Sequence, residues 1–418
     1  MSDTPVSLLS MGAGLGAHED AVTAAERACD AALESLREGP DPDLAMVFVS
    51  SHHADLMGAV GDVVHRRLSP ATLLAVSAEA VIGGTTELEG KPGVSMLAAR
   101  LPGVSVRTFT SEDLPAGEDD AERAAEKLAE NFAVGDDLRA ILLFADPFSA
   151  PMVRLLPALT SMCRNILGLN RAPIFGAMAS AGSKPGVNGL IVNKRLSRTG
   201  AVGAIISGDI SIDGVVSQGC KPFGPTMVVT GARHNVITML SGKPALQMLH
   251  EAVEMLPPDE RDQLSKGVFL GRVVNEYKER FGRGDYLIRN ILGVDQGRGA
   301  FAVADLVRVG QTVRFHLRDA QTADEDLRLL LAAQKLKREP AGALLLTCNG
   351  RGTRLFDAPD HDAKALAEGI KHESGAEPPI AGFFAAGEIG PVGDEAHLHG
   401  QTAVAAVFRP RTIGALDE

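Results

Sequence analysis

The stretch AILLFADPFSAP (140–151), followed after a helix-length segment by PIFGAMASAGS (173–183), decides how this chain is expected to fold. Each stretch begins with a short apolar run and ends in polar and glycine residues, which is typical of a buried strand that leads into a loop. The segment between them, 149–167, has helical apolar spacing, and Pro151 suits a first helical turn. A further apolar run, GAVGAIISG (200–208), follows. These segments together predict a strand–helix–strand–strand unit.

The same order of segments occurs once earlier and once later in the chain. The earlier copy consists of AMVFVSSHHAD (45–55), a helical segment (55–68), VIGGTTELEG (81–90) and VSMLAARL (94–101). The later copy consists of GALLLTCNGRGTRLF (342–356), a helical segment (361–373), PIAGFFAAGEIGP (379–391) and QTAVAAVF (401–408). A glycine follows the first strand of each copy at a similar distance: Gly83, Gly176 and Gly382. We therefore expect a repeated unit.

Between the second and third copies the pattern changes. Helical spacing appears at 243–256 and 322–337, and short strand-like runs separated by brief turns appear at 285–294, 299–307 and 312–319. Short strands with brief turns favour antiparallel pairing. The predicted fold class is therefore α/β in the mixed α+β sense, with repeated strand–helix–strand–strand units whose mixed sheets are covered by helices.

The length of 418 residues favours two domains over one core. The stretch SQGCKPFGPTMVV (217–229) holds two prolines and two glycines, so it is predicted to be a joint. We place the boundary there, which gives an N-terminal domain of residues 1–228 and a C-terminal domain of residues 229–418.

Composition excludes several classes of function. The net charge is −12, aromatic residues make up 4% of the chain, and there is no Trp, so neither the basic surface nor the stacking residues of a nucleic-acid-binding protein are expected. No apolar run is long enough to span a membrane. The 4 cysteines form no CxxC pair, and the N-terminus is a poor signal peptide, so the expected location is the cytoplasm.

Several motifs together resemble the FIST family. GFFAAGEIGPVGDEAHLHG (382–400), CNGRGTRLF (348–356) and GRGDYLIRNILGVDQGRGAFAVAD (282–305) resemble parts of the FIST-C domain. VIGGTTELEG, LLFADPFSAP, PIFGAMASA and VVSQGCKPFGP resemble parts of the FIST-N domain. The resemblance implies a stand-alone bacterial FIST protein: an intracellular sensory module that binds a small polar metabolite such as an amino acid. No output segment is attached, so we expect a separate signalling partner, and a homodimer is the simplest self-association.

Glu388 is the first candidate ligand-binding residue. It lies among glycines and small apolar residues, and burying an unpaired carboxylate is costly. It would bind a ligand amine, act as a general base, or accept amide hydrogen bonds within a turn. Glu89 has the same offset from Gly83 that Glu388 has from Gly382, so a shared acidic role is open to this pair.

Other candidates follow from position and chemistry. Asn349 and Arg351 lie in a glycine turn after a strand, where α/β sheets commonly bind ligands, and Arg351 suits a carboxylate or phosphate. Arg289 interrupts an apolar strand, so it needs Glu388 or a ligand carboxylate as a partner unless it faces solvent. Cys220 lies next to a lysine, which can lower a thiol pKa, but no histidine pairs with it in sequence.

His397 and His399 would share one face of a strand. With Glu388 they offer three ligands of the kind that zinc takes, but HExxH spacing is missing, so no metal and no cofactor are predicted. Hydrogen bonding to a ligand and a structural role stay open. The alternative to a sensor is an enzyme that uses Glu388 with His397 or His399 as an acid–base pair, or a protein-interaction scaffold. No catalytic residue is assigned.

Overall fold

A computed structural model of the protein describes residues 9–115, 120–372 and 375–411. The chain forms two compact units. We call the first the repeat unit; it comprises the residues up to Val216, Leu330–Leu398 and the residues from Ala403 onward. We call the second the inserted unit; it comprises Ser217–Leu329 and His399–Thr402. The boundary after residue 228 concerns the two sequence domains and stays a prediction.

The first repeat begins with a strand and a helix that the sequence pattern did not include. Asp20 caps that helix, because its side chain accepts a hydrogen bond of 2.8 Å from the amide of Thr23. The elements follow in the order β1 (Ser10–Ala17), α1 (Ala21–Ser35), β2 (Leu44–Ser50), α2 (Met57–Leu68), β3 (Thr72–Ala78), β4 (Val81–Gly83), β5 (Thr86–Leu88) and β6 (Gly93–Arg100).

The second repeat has the same order of elements. They are β7 (Val104–Thr110), α3 (Ala121–Phe132), β8 (Leu138–Ala145), α4 (Met152–Ser161), β9 (Ile174–Met178), β10 (Leu190–Val192), β11 (Arg195–Ser197) and β12 (Ala201–Gly208). The predicted helix at 149–167 is present, although its last turn, 162–166, winds more widely as a π-helix.

The third repeat begins with β13 (Ile210–Gln218) and is then interrupted by the inserted unit. The inserted elements are β14 (Cys220–Arg233), β15 (Val236–Leu240), β16 (Lys243–Pro244), α5 (Ala245–Glu254), α6 (Pro258–Arg261), β17 (Val268–Val273), β18 (Tyr286–Asp295), β19 (Ala300–Val303) and β20 (Thr312–Arg318). The third repeat then resumes with α7 (Ala320–Gln334), β21 (Gly342–Cys348), α8 (His361–Gly369), β22 (Ile380–Ala385), β23 (Glu388–Val392), β24 (Glu395–His399) and β25 (Thr402–Pro410).

Each repeat contributes one pair of parallel strands. These pairs are β2 with β3, β8 with β9, and β21 with β22. Most other neighbours in the same sheets are antiparallel. This gives three mixed sheets of six strands with the orders β1-β6-β2-β3-β10-β11, β24-β23-β9-β8-β12-β7 and β13-β25-β21-β22-β4-β5. The predicted fold class, a mixed α/β protein of repeated strand–helix–strand–strand units, is confirmed.

The short hairpin of each repeat completes the sheet of another repeat. Hairpin β4–β5 of the first repeat joins β22 of the third, hairpin β10–β11 of the second joins β3 of the first, and hairpin β23–β24 of the third joins β9 of the second. The exchange is cyclic, so every sheet of the repeat unit contains strands from two repeats. The sequence pattern did not predict this exchange.

The inner faces of the three sheets share one hydrophobic core. Phe48 on β2, Phe144 on β8 and Phe383 on β22 meet there, with ring centroids 5.1 to 6.2 Å apart. Each ring is fully buried, and burying a phenylalanine side chain contributes about 1.5–3 kcal/mol. The helices cover the outer faces; α1 and α2 pack on the first sheet and α3 and α4 on the second.

The glycine that recurs in the three copies has the same structural position in the second and third copies but not in the first. Gly176 and Gly382 each lie in the second strand of a parallel pair, where an added Cβ would come within 1.7 Å of a carbonyl oxygen of the neighbouring strand. Gly83 instead lies on β4, opposite Ala381. Ala75, which pairs with β2, occupies the position that the two glycines hold. The proposed equivalence of Glu89 and Glu388 is therefore wrong, because linear offset does not follow strand register.

The inserted unit is built on one antiparallel sheet of seven strands, in the order β14-β20-β17-β18-β19-β15-β16. The strands predicted near 285–294, 299–307 and 312–319 are β18, β19 and β20, and they pair with neighbours in antiparallel register. The stretch 217–229, predicted to be a joint, begins where the inserted unit begins and forms the end of β13 and the first part of β14. It pairs with β20, with an irregularity between Phe223 and Met227.

Candidate functional site

The parallel strand pairs of the three repeats end at one place in the repeat unit. Ser180, just after β9, ties three of these strand ends together: its Oγ accepts a hydrogen bond of 2.9 Å from the amide of Glu79, after β3, and donates to the carbonyl of Phe384, in β22. The amide of Ala386 donates to the carbonyl of Met178 over 3.2 Å. Loops that follow parallel strands are therefore brought together, as at the ligand sites of α/β sheets.

Two cavities open at these strand ends. The first has a volume of about 390 Å³ and is lined by Ser51, His52, Glu79, Ala80, Glu89, Gly90, Asn349, Thr353, Arg354 and Phe384. The second has a volume of about 470 Å³ and is lined by Glu79, Pro147, Phe148, Ser180, Ala181, Gly182, Ser183, Asn349 and Ala386. Glu79 and Asn349 belong to both walls, so the cavities adjoin. All of these residues belong to the repeat unit.

The first cavity carries most of the charge. Glu79 and Glu89 supply two carboxylates, and Arg354 supplies one guanidinium that pairs with Glu79. The same guanidinium donates to the carbonyl of Asn349 over 2.7 Å. The side-chain oxygen of Asn349 is buried and has no hydrogen-bond partner among the described residues, so it can accept a hydrogen bond from a ligand.

Arg351 anchors the loop that carries Asn349 and Arg354. Arg351 is fully buried and makes a two-pronged ion pair with Asp362, with Nε–Oδ2 and Nη2–Oδ1 distances of 2.7 and 2.8 Å. Its guanidinium also lies 5.3 Å from the ring centroid of Phe356. Burial alone would lower the pKa of Arg351, but the charge and hydrogen bonds of Asp362 outweigh it and raise that pKa.

Asp362 is the centre of this anchor. Besides Arg351 it accepts hydrogen bonds from Thr347 Oγ1, over 2.6 Å, and from His361 Nδ1, over 2.9 Å. Burial raises the pKa of an acid, but Arg351 and these donors hold the pKa of Asp362 well below its usual range. The carboxylate is therefore ionised at neutral pH, and it fixes the start of α8 against the end of β21.

Residues in and just after hairpin β4–β5 of the first repeat also hold this loop and the start of α8. Glu89 accepts hydrogen bonds of 2.9 Å from both the amide and the hydroxyl of Thr353. Glu87 is buried, and its Oε1 accepts a hydrogen bond of 2.9 Å from the amide of Ala363. Burial, followed by the negative charge of Asp362, raises the pKa of Glu87 to about 8. One wall of the first cavity is thus built by two repeats together.

Of the predicted site residues, Asn349 and Glu89 line the cavities. Arg351 does not belong to either lining, because Asp362 turns its side chain inward. Glu388 is fully buried at the start of β23, opposite Ala177, and is also outside both linings. Whether Arg351 and Glu388 act on a ligand stays a prediction.

The remaining candidates lie elsewhere. His397 lies on β24, with its Nε2 3.9 Å from Glu395 Oε2. His399 falls in the inserted unit and is buried there. Arg289 also belongs to the inserted unit, where Asp305, at 2.8 Å, is the carboxylate partner that a buried arginine requires. Cys220 is buried on β14, opposite Arg318, and not in a loop.

Several cavity residues were missed by reasoning from sequence. The walls of the two cavities together use all three repeats. The missed residues are Ser51, His52, Glu79, Phe148, Ser180 and Arg354. The available signal was their position directly after predicted strands of the repeat, since such loops carry ligand sites in α/β sheets.

Comparison with known protein families agrees with this architecture. The FIST N domain model matches residues 43–243, and the FIST C domain model matches residues 245–391. The chain belongs to the FIST family. FIST domains are sensory and signal-transduction domains. In this FIST protein the N domain match covers the first repeat from β2 onward and the whole second repeat, and it continues into the inserted unit. The C domain match covers most of the inserted unit and most of the third repeat.

Relatives of this FIST protein are similar along almost the whole chain. Two uncharacterized proteins of Mycobacterium tuberculosis strains are 38% identical over 406 residues, which is 96% of this chain and 100% of each relative. An uncharacterized protein of Mycobacterium bovis is 37% identical over 406 residues, 96% of this chain and 99% of the relative.

A solved structure of cyanuric acid hydrolase is similar over 97% of this chain and 100% of its own, with a TM-score of 0.33 and 10% sequence identity. A likeness this weak carries no argument about function. Among the described residues, no helix is long and apolar enough to cross a membrane. Within the same residues, no group of three or more His, Cys, Asp or Glu side chains is placed to hold a metal ion.

Proposed function

We propose that this FIST protein is a sensory protein that binds a small polar metabolite in the two adjoining cavities of the repeat unit. The observation that carries the proposal is the convergence of parallel strand ends from all three repeats on walls that contain Glu79 and Asn349. Ligand sites in open α/β sheets lie at such strand ends. Concave sites with a few converging polar groups are also the usual small-molecule sites.

The lining of the first cavity supports a ligand that carries an amino group. Two carboxylates, Glu79 and Glu89, face one guanidinium, that of Arg354, so the cavity has an excess of negative charge. The partnerless oxygen of Asn349 would accept a hydrogen bond from the ligand. Arg354 would exchange part of its pairing with Glu79 for a ligand carboxylate, since a guanidinium binds carboxylates in a two-pronged manner. Amino acids and their derivatives carry both groups.

The walls of the cavity are held in place by hydrogen bonds and ion pairs within the protein. Ser180 holds the strand ends together. The ion pair of Arg351 with Asp362 and the hydrogen bonds of Glu89 to Thr353 hold the loop that carries Asn349 and Arg354. A prepared site loses less conformational entropy when a ligand binds, so its affinity is higher for the same contacts. This supports binding by a built pocket over binding by a loop that orders around its ligand.

The test is thermal unfolding of the purified protein against a panel of amino acids, amines and small carboxylates. A ligand present at about 100 times its Kd is expected to add about 2.7 kcal/mol to the free energy of unfolding. Asn349→Ala should abolish the shift, whereas Asn165→Ala, at an exposed asparagine on the turn after α4, should leave it unchanged. Absence of any shift across the panel, or an equal shift in Asn349→Ala, would overturn the proposal.

A further inference from the structure

The two cavities differ in chemistry. The first contains two carboxylates, a guanidinium and the side chains of His52 and Thr353. In the second, Glu79 is the one charged side chain among the described lining residues, and the wall is otherwise made of small, apolar or neutral residues. The apolar and small members include Pro147, Phe148, Gly182 and Ala386. A ligand that fills both cavities therefore meets most of the charge at one end and a mixture of apolar and neutral polar groups at the other.

Phe148 is the residue that distinguishes the second cavity. Its side chain is 45% exposed, although most phenylalanines of this chain are buried. A single exposed apolar residue is ordinary on a protein surface. Phe148 differs from such a residue because it lies in a cavity wall beside the polar groups of Glu79 and Asn349. An exposed ring in that position can stack on a flat apolar group.

The loop that carries Phe148 is held rigidly at its base. Asp146 is buried; its Oδ2 accepts a hydrogen bond of 2.5 Å from Ser149, and its Oδ1 accepts one of 3.0 Å from Asn188. The amide of Ala150 also donates to the carbonyl of Asp146 over 3.1 Å. The hydroxyl of Ser149 in turn accepts a hydrogen bond of 2.8 Å from the amide of Gly200. The ring is therefore presented by a fixed loop, which reduces the entropy lost on stacking.

The wall between the cavities is polar and fixed as well. Glu79 and Asn349 face both cavities, and the amide of Glu79 is held by Ser180. A group that bridges the two cavities would pass the carboxylate of Glu79 and the side chain of Asn349. Both groups can accept hydrogen bonds from a protonated amine, and the negative charge of Glu79 also attracts it.

We propose that the ligand has two parts: a protonated amine that lies between Glu79, Glu89 and Asn349, and a planar apolar body that stacks on Phe148 in the second cavity. The inference rests on the proposed function and narrows it to aromatic amines and amino acids with a planar side chain. Aliphatic amines would fill the first cavity alone, and neutral aromatic compounds the second alone.

The experiment is isothermal titration of the full chain with three probes. Phenethylamine carries both parts, butylamine carries the amine alone, and benzyl alcohol carries the ring without the charge. We expect phenethylamine to bind at least tenfold more tightly than either of the others. Phe148→Ala should weaken phenethylamine at least tenfold and leave butylamine unchanged. Val153→Ala, at a 65% exposed apolar residue of α4 outside both linings, should change neither.

The outcomes separate this inference from the proposed function. Equal affinity for phenethylamine and butylamine, or full affinity in Phe148→Ala, overturns the two-part ligand while binding at Asn349 still supports a metabolite sensor. No saturable binding of phenethylamine at millimolar concentration also overturns the two-part ligand. If the wider amino-acid and carboxylate panel then gives no shift either, the proposed function fails with it.

Discussion

The repeat unit and the inserted unit are both mixtures of strands and helices, but they are assembled in different ways. In the inserted unit one antiparallel sheet forms from strands within 220–318, many of them close neighbours in the chain. In the repeat unit every sheet takes a hairpin from another repeat, and β4 pairs with β22, about three hundred residues later. The repeat unit therefore depends on contacts that are far more distant in sequence.

The two units also bury charge to different depths. In the repeat unit Arg351 and Asp362 form an ion pair that is fully buried on both sides. In the inserted unit the comparable pair, Arg289 and Asp305, retains side-chain exposures of 13% and 16%, and Asp305 also pairs with Arg272, whose side chain is 23% exposed. A charge that water reaches keeps part of its hydration when its partner is removed, and a fully buried charge does not. We therefore expect the loss of one long-range contact or one buried charge to lower the stability of the repeat unit more than that of the inserted unit.

The largest expected effect comes from cutting the repeat unit. A chain that ends after residue 228, the predicted N-terminal domain, keeps the first sheet but loses β21–β25. Hairpin β4–β5 then has no sheet to join, β9 loses its neighbour β23, and Phe383 leaves the shared core. We expect the whole free energy of unfolding, about 5–15 kcal/mol for a typical domain, to be lost. Urea unfolding followed by circular dichroism would show no cooperative transition.

The matched control removes the inserted strands instead. Residues 220–318 begin and end on paired strands, with Cys220 opposite Arg318, and the amide of Asp319 donates to the carbonyl of Gly219 over 3.3 Å. A short glycine linker can therefore join Gly219 to Asp319. Because the three six-stranded sheets use no strand from 220–318, this variant should unfold cooperatively. A cooperative unfolding transition in the chain that ends after residue 228 would contradict the claim that the repeat unit depends on contacts distant in sequence.

A smaller effect is expected from removing one charge in each unit. Asp362→Asn leaves Arg351 buried without its counter-charge, so we expect a loss of about 3–5 kcal/mol in the free energy of unfolding. Asp305→Asn, in the partly exposed pair, should cost about 1.5–3 kcal/mol. Asp324→Asn, which removes an exposed helical pair with Arg328, should cost at most about 0.5 kcal/mol. Urea unfolding at pH 7 measures all three, and equal losses at Asp362 and Asp305 would contradict the role given to burial depth.

The last expected effect is a pH dependence that arises from Glu87 in the repeat unit. The pKa of Glu87 rises from 4.5 to about 8 in the folded protein, first because of burial and then because of Asp362. Between these values the folded state binds a proton that the unfolded chain has released, so the contribution of Glu87 to stability falls as the pH rises from about 4.5 to about 8. Glu87→Gln keeps a neutral side chain of similar shape and should lose this slope.

The measurement is urea unfolding at several pH values between 5 and 8, on the wild type and on Glu87→Gln. Glu34→Gln, at an exposed position of α1, controls for the change in net charge. We expect the Glu34 variant to follow the wild type. The stability of the Glu87 variant relative to the wild type should rise as the pH increases over this range, because only the Glu87 contribution is removed. Parallel curves for the wild type and Glu87→Gln would mean that Glu87 is ionised in the folded protein.

Much of the fold could be predicted because its signals are local. The apolar runs at 140–145 and 342–348, the helix predicted at 149–167 and the short antiparallel strands of the inserted unit depend on side chains within a few residues of one another. The glycines at Gly176 and Gly382 were also informative, since only the absence of Cβ allows the neighbouring carbonyl oxygen to approach so closely. Asn349 was found because it follows a predicted strand, whereas Glu89 was named from an offset to Gly83 that strand register does not support.

The rest was decided by tertiary structure. Nothing near Thr86–Leu88 shows that this hairpin leaves its own repeat for the sheet of the third, and nothing near Arg351 shows that it turns inward to Asp362. Strand pairing and side-chain direction depend on partners far along the chain. For this reason Gly83, on β4, was taken as the equivalent of Gly176 and Gly382, although Ala75 on β3 holds that position. The sequence by itself determined which segments become strands and helices and that they repeat. Only the tertiary structure decided which strand ends meet, because a cavity is a property of surfaces that distant segments create together.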